Sequence, residues 1–277
     1  MEVNIDPVFF TLGPLQVRWY GLMYVIGFVW ATFIGKKLVE EGFFPVKKRD
    51  VDTLITYSMI GIFLGARIAY VFIYNWPYYS ANPTEIFSIW KGGLSYHGAF
   101  MGLFFALLLF AKRFKLSVLT VWDAGVIMGA LSVFFGRIGN FINGELWGRV
   151  SDVPWAMIFP TGGTSPRHPS QLYEAVLEGL LPFLILWFMR KRVTISGILA
   201  SWYPILYGTG RFFAEFFREP DAQMGYYLGF LTMGQILSLL MILLGIGVRI
   251  YATRKDLVLQ TSSTPLRVSM SGVKSSG

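Results

Sequence analysis

The chain has 277 residues, 54% hydrophobic and only 14% charged, with a mean hydropathy of +0.53 and a net charge of +8. A soluble domain carries about 25% charged residues, so this much apolar surface implies lipid contact, and the basic residues sit in short clusters between apolar runs with no nucleic-acid motif around them. No cysteine is present, which excludes disulfides, thiolate metal sites and a cysteine nucleophile supplied by the chain itself.

In chain order, residues 1–14 read as an external N-terminal segment without the Lys or Arg of a cleavable signal peptide. Apolar runs then predict an all-α integral membrane protein of seven spans: Leu15–Gly35, Val51–Tyr74, Leu94–Ala111, Val118–Phe141, Ser170–Met189, Ile195–Phe217 and Gly229–Tyr251. Together residues 15–251 form the membrane domain. It includes an external loop over 142–169 with four prolines and two Gly-rich turns, expected to cap that side. Residues 252–277, rich in Ser, read as a disordered cytoplasmic tail.

The orientation follows from charge. Sixteen of the 24 basic residues fall in one set of loops and at the C-terminal end, among them Lys36, Lys37, Lys47, Lys48, Arg49, Lys112, Arg113, Lys115, Arg190, Lys191 and Arg192. Positive loops face the cytoplasm, so the N-terminus lies outside and the C-terminus inside. Trp19, Tyr20, Trp76, Tyr78, Tyr79, Trp90, Trp147, Trp155, Tyr226 and Tyr227 then fall near the external boundary, as an aromatic belt does.

The other eight basic residues, Arg18, Arg67, Lys91, Arg137, Arg149, Arg167, Arg211 and Arg218, all map to the external half. Arg67, Arg137 and Arg211 lie inside spans, where a cation costs roughly 2.5–3.5 kcal/mol on insertion scales and needs a partner. A guanidinium fork matches phosphate, and three on one side favour a lipid head-group site. For Arg211 the competing reading is a pair with Glu215, one turn away.

The densest signal runs from Gly136 to Arg149, where Arg137 and Asn140 share a helix face and Glu145 follows just outside. His97 opens span three and titrates near neutral pH, as a general base does; an interfacial histidine without that duty is the plainer alternative. The glycine pairs Gly61/Gly65, Gly98/Gly102 and Gly125/Gly129 suit close helix packing. Ser170 suits a cap of span five, with Glu174 in its first turns. Asp123 suits capping or pairing. With two histidines, no zinc site is expected, and no metal or organic cofactor is implied.

Six blocks, in order along nearly the whole chain, resemble the bacterial prolipoprotein diacylglyceryl transferases. They are Arg18–Tyr24, the block around His97, Gly136–Gly148, Arg167–Glu174, Glu215–Asp221 and Met233–Leu237. The resemblance implies an inner-membrane enzyme acting at the outer face. It would transfer diacylglyceryl from phosphatidylglycerol to the lipobox cysteine of a prolipoprotein signal peptide, forming a thioether and releasing glycerol phosphate. It marks Tyr20, His97, Arg137, Asn140, Glu145 and Arg211 as the essential set, and Arg137, Arg211, Asn140, Glu145 and Glu215 as binding phosphatidylglycerol. Two departures stand out: Ala99 follows Gly98 where the family carries a second glycine, and the stretch Phe159–Arg167 is short. A phospholipid transporter or flippase shares the need for buried arginines, but transporters place their sites near the midplane and show internal repeats. A non-catalytic scaffold would leave the Arg/His/Glu cluster unexplained.

Overall fold

The structure, a computed structural model, describes residues 1–13, 15–88, 92–219, 227 and 230–263, without the side chains of Leu15 and residues 258–263. Trp90, Lys91, Tyr226, the end of the Glu215–Asp221 block, the start of the last span at Gly229 and the tail from 264 lie outside the described residues.

The chain opens with a β-hairpin. Strands β1 (Val8–Leu12) and β2 (Leu15–Arg18) pair antiparallel, and Gly13 turns between them at φ +58°. The first span therefore begins at Trp19, four residues later than expected. The apolar residues before it alternate with polar ones, a strand pattern that averages into a helical hydropathy window. Helices α1 (Trp19–Glu40) and α2 (Lys48–Ala69, running on through a π-turn at Tyr70–Tyr74) follow. A short α3 (Trp76–Ala81) leads to α4 (Tyr96–Arg113) and α5 (Val118–Ile142). The fifth expected span is α6 (Ser170–Glu174), a π-turn (Ala175–Leu180) and α7 (Leu181–Met189) in one line. Pro182 has no N–H to offer the Glu178 carbonyl four residues back, which suits the wider register just before it. Finally come α8 (Ile198–Ala214) and α9 (Met233–Ser263).

Among the described residues, five helices are long and apolar enough to cross a membrane: Trp19–Glu40, Lys48–Tyr74, Val118–Ile142, Ser170–Met189 and Met233–Leu257. The 18 residues of α4 and 17 of α8 reach about 27 and about 26 Å at 1.5 Å per residue, just under a hydrocarbon core of about 30 Å. Exposed Val25, Val29, Phe33, Ile60, Phe63, Leu64, Phe105, Leu109, Leu240 and Leu243 present the outer surface that lipid covers. The chain past Ala252, expected to be disordered, is helical to Ser263. Between Gly247 and Pro265 nothing breaks a helix, so α9 overruns the apolar stretch.

Packing follows the small residues. The two glycine pairs of α2 and α4 meet each other: a Cβ at Gly65 would run into Gly98 O, and one at Gly102 into Gly61 O. Gly125 and Gly129 do not pack this way. A Cβ at Gly125 would meet only Leu107, at 3.7 Å, and one at Gly129 nothing within 4 Å. On α8, Gly208 lets α9 approach to 2.7 Å from where its Cβ would stand. The buried cluster of Ile34, Leu38, Leu54, Phe110, Ile127, Leu186 and Leu199 fills one end of the bundle. There Asp123 accepts from Gly197 N (2.6 Å) and Ala200 N (2.7 Å), capping α8 from α5 as its position suggested.

Candidate functional site

At the other end of the bundle, charges meet inside the protein. Arg137 comes from the last turns of α5, Glu174 and Glu178 from successive turns of α6 and its π-turn, and Arg211 and Glu215 from the end of α8. Arg137 donates to Glu178 Oε2 through Nη2 (2.8 Å) and Nε (3.2 Å), and its Nη1 lies 2.8 Å from Glu174 Oε2. Arg211 Nη1 donates to the other oxygen of the same carboxylate, Glu174 Oε1 (2.7 Å), and stands 3.5 Å from Glu178 Oε1. Its Nη2 lies 2.7 Å from Glu215 Oε2, and Arg218 adds a bond to Glu174 Oε1 at 3.1 Å. Glu174 and Glu178 are fully buried, whereas the Arg137 and Arg211 side chains keep 17% and 16% exposure. The arginines are thus held from behind by carboxylates and keep an edge toward open space.

Close helix approach builds this corner. A Cβ at Gly179 would stand 2.5 Å from Phe134 N of α5, and one at Gly210 would strike Leu177 O, so α5, the π-turn and α8 share one narrow seam. Two glycines, on the π-turn and on α8, let three charged helix faces converge.

Other expected residues surround it. Tyr20, in the first turn of α1, packs on Gly139, whose Cβ would stand 2.9 Å from the ring, and its hydroxyl is 3.0 Å from Tyr24 Oη. Asn140 donates to Glu145 Oε1 (2.8 Å), with Asn143 on the same oxygen at 3.3 Å. Gln171 Nε2 holds the Glu145 carbonyl (2.8 Å) and Ser170 Oγ the Leu146 carbonyl (2.9 Å). Ser170, expected as a cap of span five, is therefore a tie between that helix and the loop. Gly144, at φ +64°, lets the chain turn off α5 into the loop that leads to α6. That loop is pinned by Arg167, which donates to Gly162 O (3.0 Å) and Gly148 O (3.2 Å), pairs with Glu219 (3.1 Å) and stacks on Trp147 (4.0 Å). Arg149 Nε bonds Arg218 O at 3.0 Å.

His97 is exposed in the first turn of α4, with its Nδ1 3.2 Å from Tyr74 Oη. No bond among the described residues ties it to the arginines. Its neighbour Tyr96 is also exposed. His168 sits in the loop between α5 and α6 with its Nδ1 3.2 Å from Tyr173 Oη, and partial burial pushes its imidazole below the ordinary histidine value.

One expectation is corrected. Arg67 does not join Arg137 and Arg211. It donates to Ile86 O (2.8 Å), Glu85 O (2.6 Å), Gly92 O (2.8 Å) and Gly93 O (3.1 Å), and its guanidinium covers Tyr79 at 5.0 Å. Its fork is consumed by backbone carbonyls of the loop ahead of α4, so its role is to clamp that loop. One residue was missed: Glu178 drew no comment in the sequence. An ionisable residue in the middle of an apolar span was the available signal. Glu174 was noticed only as a first-turn carboxylate. No group of three or more His, Asp or Glu side chains that could hold a metal ion is found among the described residues.

Residues 7–251 match the family model for prolipoprotein diacylglyceryl transferase. Curated relatives named phosphatidylglycerol–prolipoprotein diacylglyceryl transferase include one from Nitratidesulfovibrio vulgaris (strain DP4), 49% identical over 88% of this chain and 93% of the relative. Another, from Pseudoalteromonas translucida (strain TAC 125), is 49% identical over 91% of this chain and 94% of its own. A third, from Vibrio vulnificus (strain YJ016), is 46% identical over 91% and 93%.

Proposed function

This chain belongs to the prolipoprotein diacylglyceryl transferase family, and from that premise we propose how its residues carry out the transfer. It is a multi-pass membrane transferase that moves diacylglyceryl from phosphatidylglycerol to a prolipoprotein. In our reading α4 and α8 complete seven spans, with the N-terminus outside the inner membrane and the charged corner near its outer leaflet.

The acceptor is the lipobox cysteine of the signal peptide. Its sulfur attacks the glyceryl carbon that bears the phosphate. A C–S bond forms, the C–O bond to phosphate breaks, and glycerol phosphate leaves with the bonding pair. Arg137 and Arg211 face that phosphate and stabilise the charge that grows on it. His97, in the first turn of α4, takes the thiol proton. The thiol, with a free value of about 8.5, needs little persuasion. Tyr20, Asn140 and Glu145 orient the head group, and Glu215 steadies Arg211.

The observation that carries this reading is the pair of guanidiniums from different helices, held on the two oxygens of one buried carboxylate, Glu174. Such an arrangement leaves two charged edges side by side, as a phosphate requires. The test is incubation of the purified protein with phosphatidylglycerol and a lipobox peptide. A peptide heavier by one diacylglyceryl group, dependent on both arginines, is expected; an unmodified peptide with folded protein refutes it. A transporter needs no acceptor thiol and would leave the peptide unchanged.

A further inference from the structure

The face that α2 turns to α4 changes its spacing before it ends. Gly61 and Gly65 lie against the α4 backbone, and a Cβ at Gly98 would strike the methyl of Ala69. These contacts follow one another at steps of four residues, as on an α-helix. At that step Ile73 would come next, but it is 76% exposed. Tyr74 takes the place instead, with its Oη 3.2 Å from His97 Nδ1. Its longer step from Ala69 is that of the π-turn Tyr70–Tyr74, closed by Asn75 N on Tyr70 O at 3.1 Å. Such turns widen the helix and are frequent at functional sites.

Both partners are held in place. Ser95 N donates to Ala66 O (3.0 Å) and Ser95 Oγ accepts from Gly98 N (3.2 Å), which fixes the first turn of α4 on α2. Arg67 clamps the loop that enters α4. The Tyr70 and Tyr74 rings lie 15° from parallel with centroids 6.4 Å apart. Tyr70 in turn packs on Gly93, where a Cβ would stand 2.6 Å from its ring. Among the described residues Tyr74 makes the only hydrogen bond to the His97 ring, and Nε2 has none.

A neutral imidazole has one bare nitrogen, and the bond made by the other decides which it is. A phenol oxygen can donate or accept. If Tyr74 donates to Nδ1, the ring proton sits on Nε2, and His97 offers a substrate a donor. If Tyr74 accepts, Nδ1 keeps the proton and Nε2 is a base.

We propose that Tyr74 is a positioning residue for the transfer: it accepts from His97 Nδ1–H and so presents a bare Nε2 to the acceptor thiol. This rests on the reading of His97 as the base. The thiol proton goes to Nε2 and gives an imidazolium whose Nδ1–H Tyr74 still holds. The thiolate forms the C–S bond as the C–O bond to phosphate breaks, and the imidazolium then gives its proton to solvent. Tyr74 is 57% exposed, so its own hydroxyl proton is left to solvent or lipid.

The test is NMR of the ring nitrogens in purified protein carrying isotope-labelled histidine, in detergent at about pH 8.5, above the ordinary histidine value. The chain has two histidines, so the signals absent from His97→Gln are those of His97. A proton on Nδ1 and a bare Nε2 are expected. Tyr74→Phe keeps the ring and loses only the oxygen. In it the proton should move largely to Nε2, the form that histidine in water prefers. Transfer to a lipobox peptide should fall by about tenfold in kcat, part of the roughly 10²–10⁴ that a general base supplies. KM for phosphatidylglycerol should stay unchanged, because the lost bond serves the transition state and not lipid binding. A proton on Nε2 in the wild-type protein overturns the proposal, whether or not the variant folds. So does a folded Tyr74→Phe variant that keeps the wild-type proton position or the wild-type kcat. Full activity in His97→Gln removes the base reading and this inference with it, whereas an inactive His97→Gln beside a fully active Tyr74→Phe removes the inference alone.

Discussion

Arg211 contacts three carboxylates, and that decides how its replacement should behave. Arg211→Gln leaves Glu174, Glu178 and Glu215 facing Arg137 and Arg218, so one buried charge loses its partner. Breaking a buried pair from one side costs about 3–5 kcal/mol. Adding Glu215→Gln removes the carboxylate 2.7 Å from Arg211 and so cancels the change in charge. The double variant should regain most of the lost stability, measured by thermal unfolding in detergent. Transfer activity should not return. A preorganised donor facing developing charge is worth about 10²–10³ in rate, and Gln at 211 cannot supply it. Arg211→Lys should fold yet transfer slowly, since an ammonium cannot reach two carboxylates and a phosphate with one fork. The assay is the diacylglyceryl mass shift of a lipobox peptide, run beside the unfolding curves. Near wild-type transfer by the double variant would refute the reasoning and make Arg211 scaffold, with Arg137 as the main phosphate ligand. A double variant as unstable as the single one would refute the charge count.

Replacing phosphatidylglycerol by phosphatidylethanolamine in otherwise identical vesicles should nearly abolish transfer; equal rates would sink the head-group part of the mechanism. Gly102→Leu should separate α2 from α4, because the space its side chain needs is occupied by Gly61 O; loss of folded protein on size exclusion is the readout, and Gly129→Ala, in open space, should be tolerated. Burial lowers the His168 value, so the unfolded chain takes up the proton first. The stability His168 contributes is therefore whole above about pH 6.5 and falls as the pH drops through the folded value. His168→Phe should remove that part of the pH dependence in unfolding curves. Reporters fused after Lys48, Lys115 and Lys191 should read cytoplasmic, and those near Pro83 and Gly163 external; an external reading at Lys115 would reverse the proposed orientation.

Much of the fold was legible because lipid imposes a simple rule: polar backbone must be satisfied within each span. The start of α5 at Val118 and both ends of the Ser170–Met189 span fall where apolar character begins and stops. Where that rule does not act, the reading failed. Strand β2 abuts the membrane helix and shares its average hydropathy. The end of α9 is set by the first helix breaker rather than by polarity. Glycine spacing identified three candidate contacts, but spacing says nothing about which face meets a neighbour, and Gly125/Gly129 met none closely. The glycines that shape the charged corner, Gly179 and Gly210, were noticed by no spacing rule at all.

The site was half legible for a related reason. Insertion energetics say that a buried arginine needs a partner, and they do not say which. For Arg67 the partners are loop carbonyls, and for Arg137 they are Glu174 and Glu178, 37 and 41 residues downstream. The link between Arg137 and Glu178 exists only once Gly179 admits α5 to the π-turn. A sequence shows the charges and hides the register that pairs them. The difference bears on mechanism. If phosphate were the partner that made the arginines tolerable in the bilayer, the empty site would be strained and would bind any phosphate. Glu174 and Glu178 instead partner both guanidiniums within the protein. In the proposed mechanism the phosphate then meets only the exposed edges of Arg137 and Arg211.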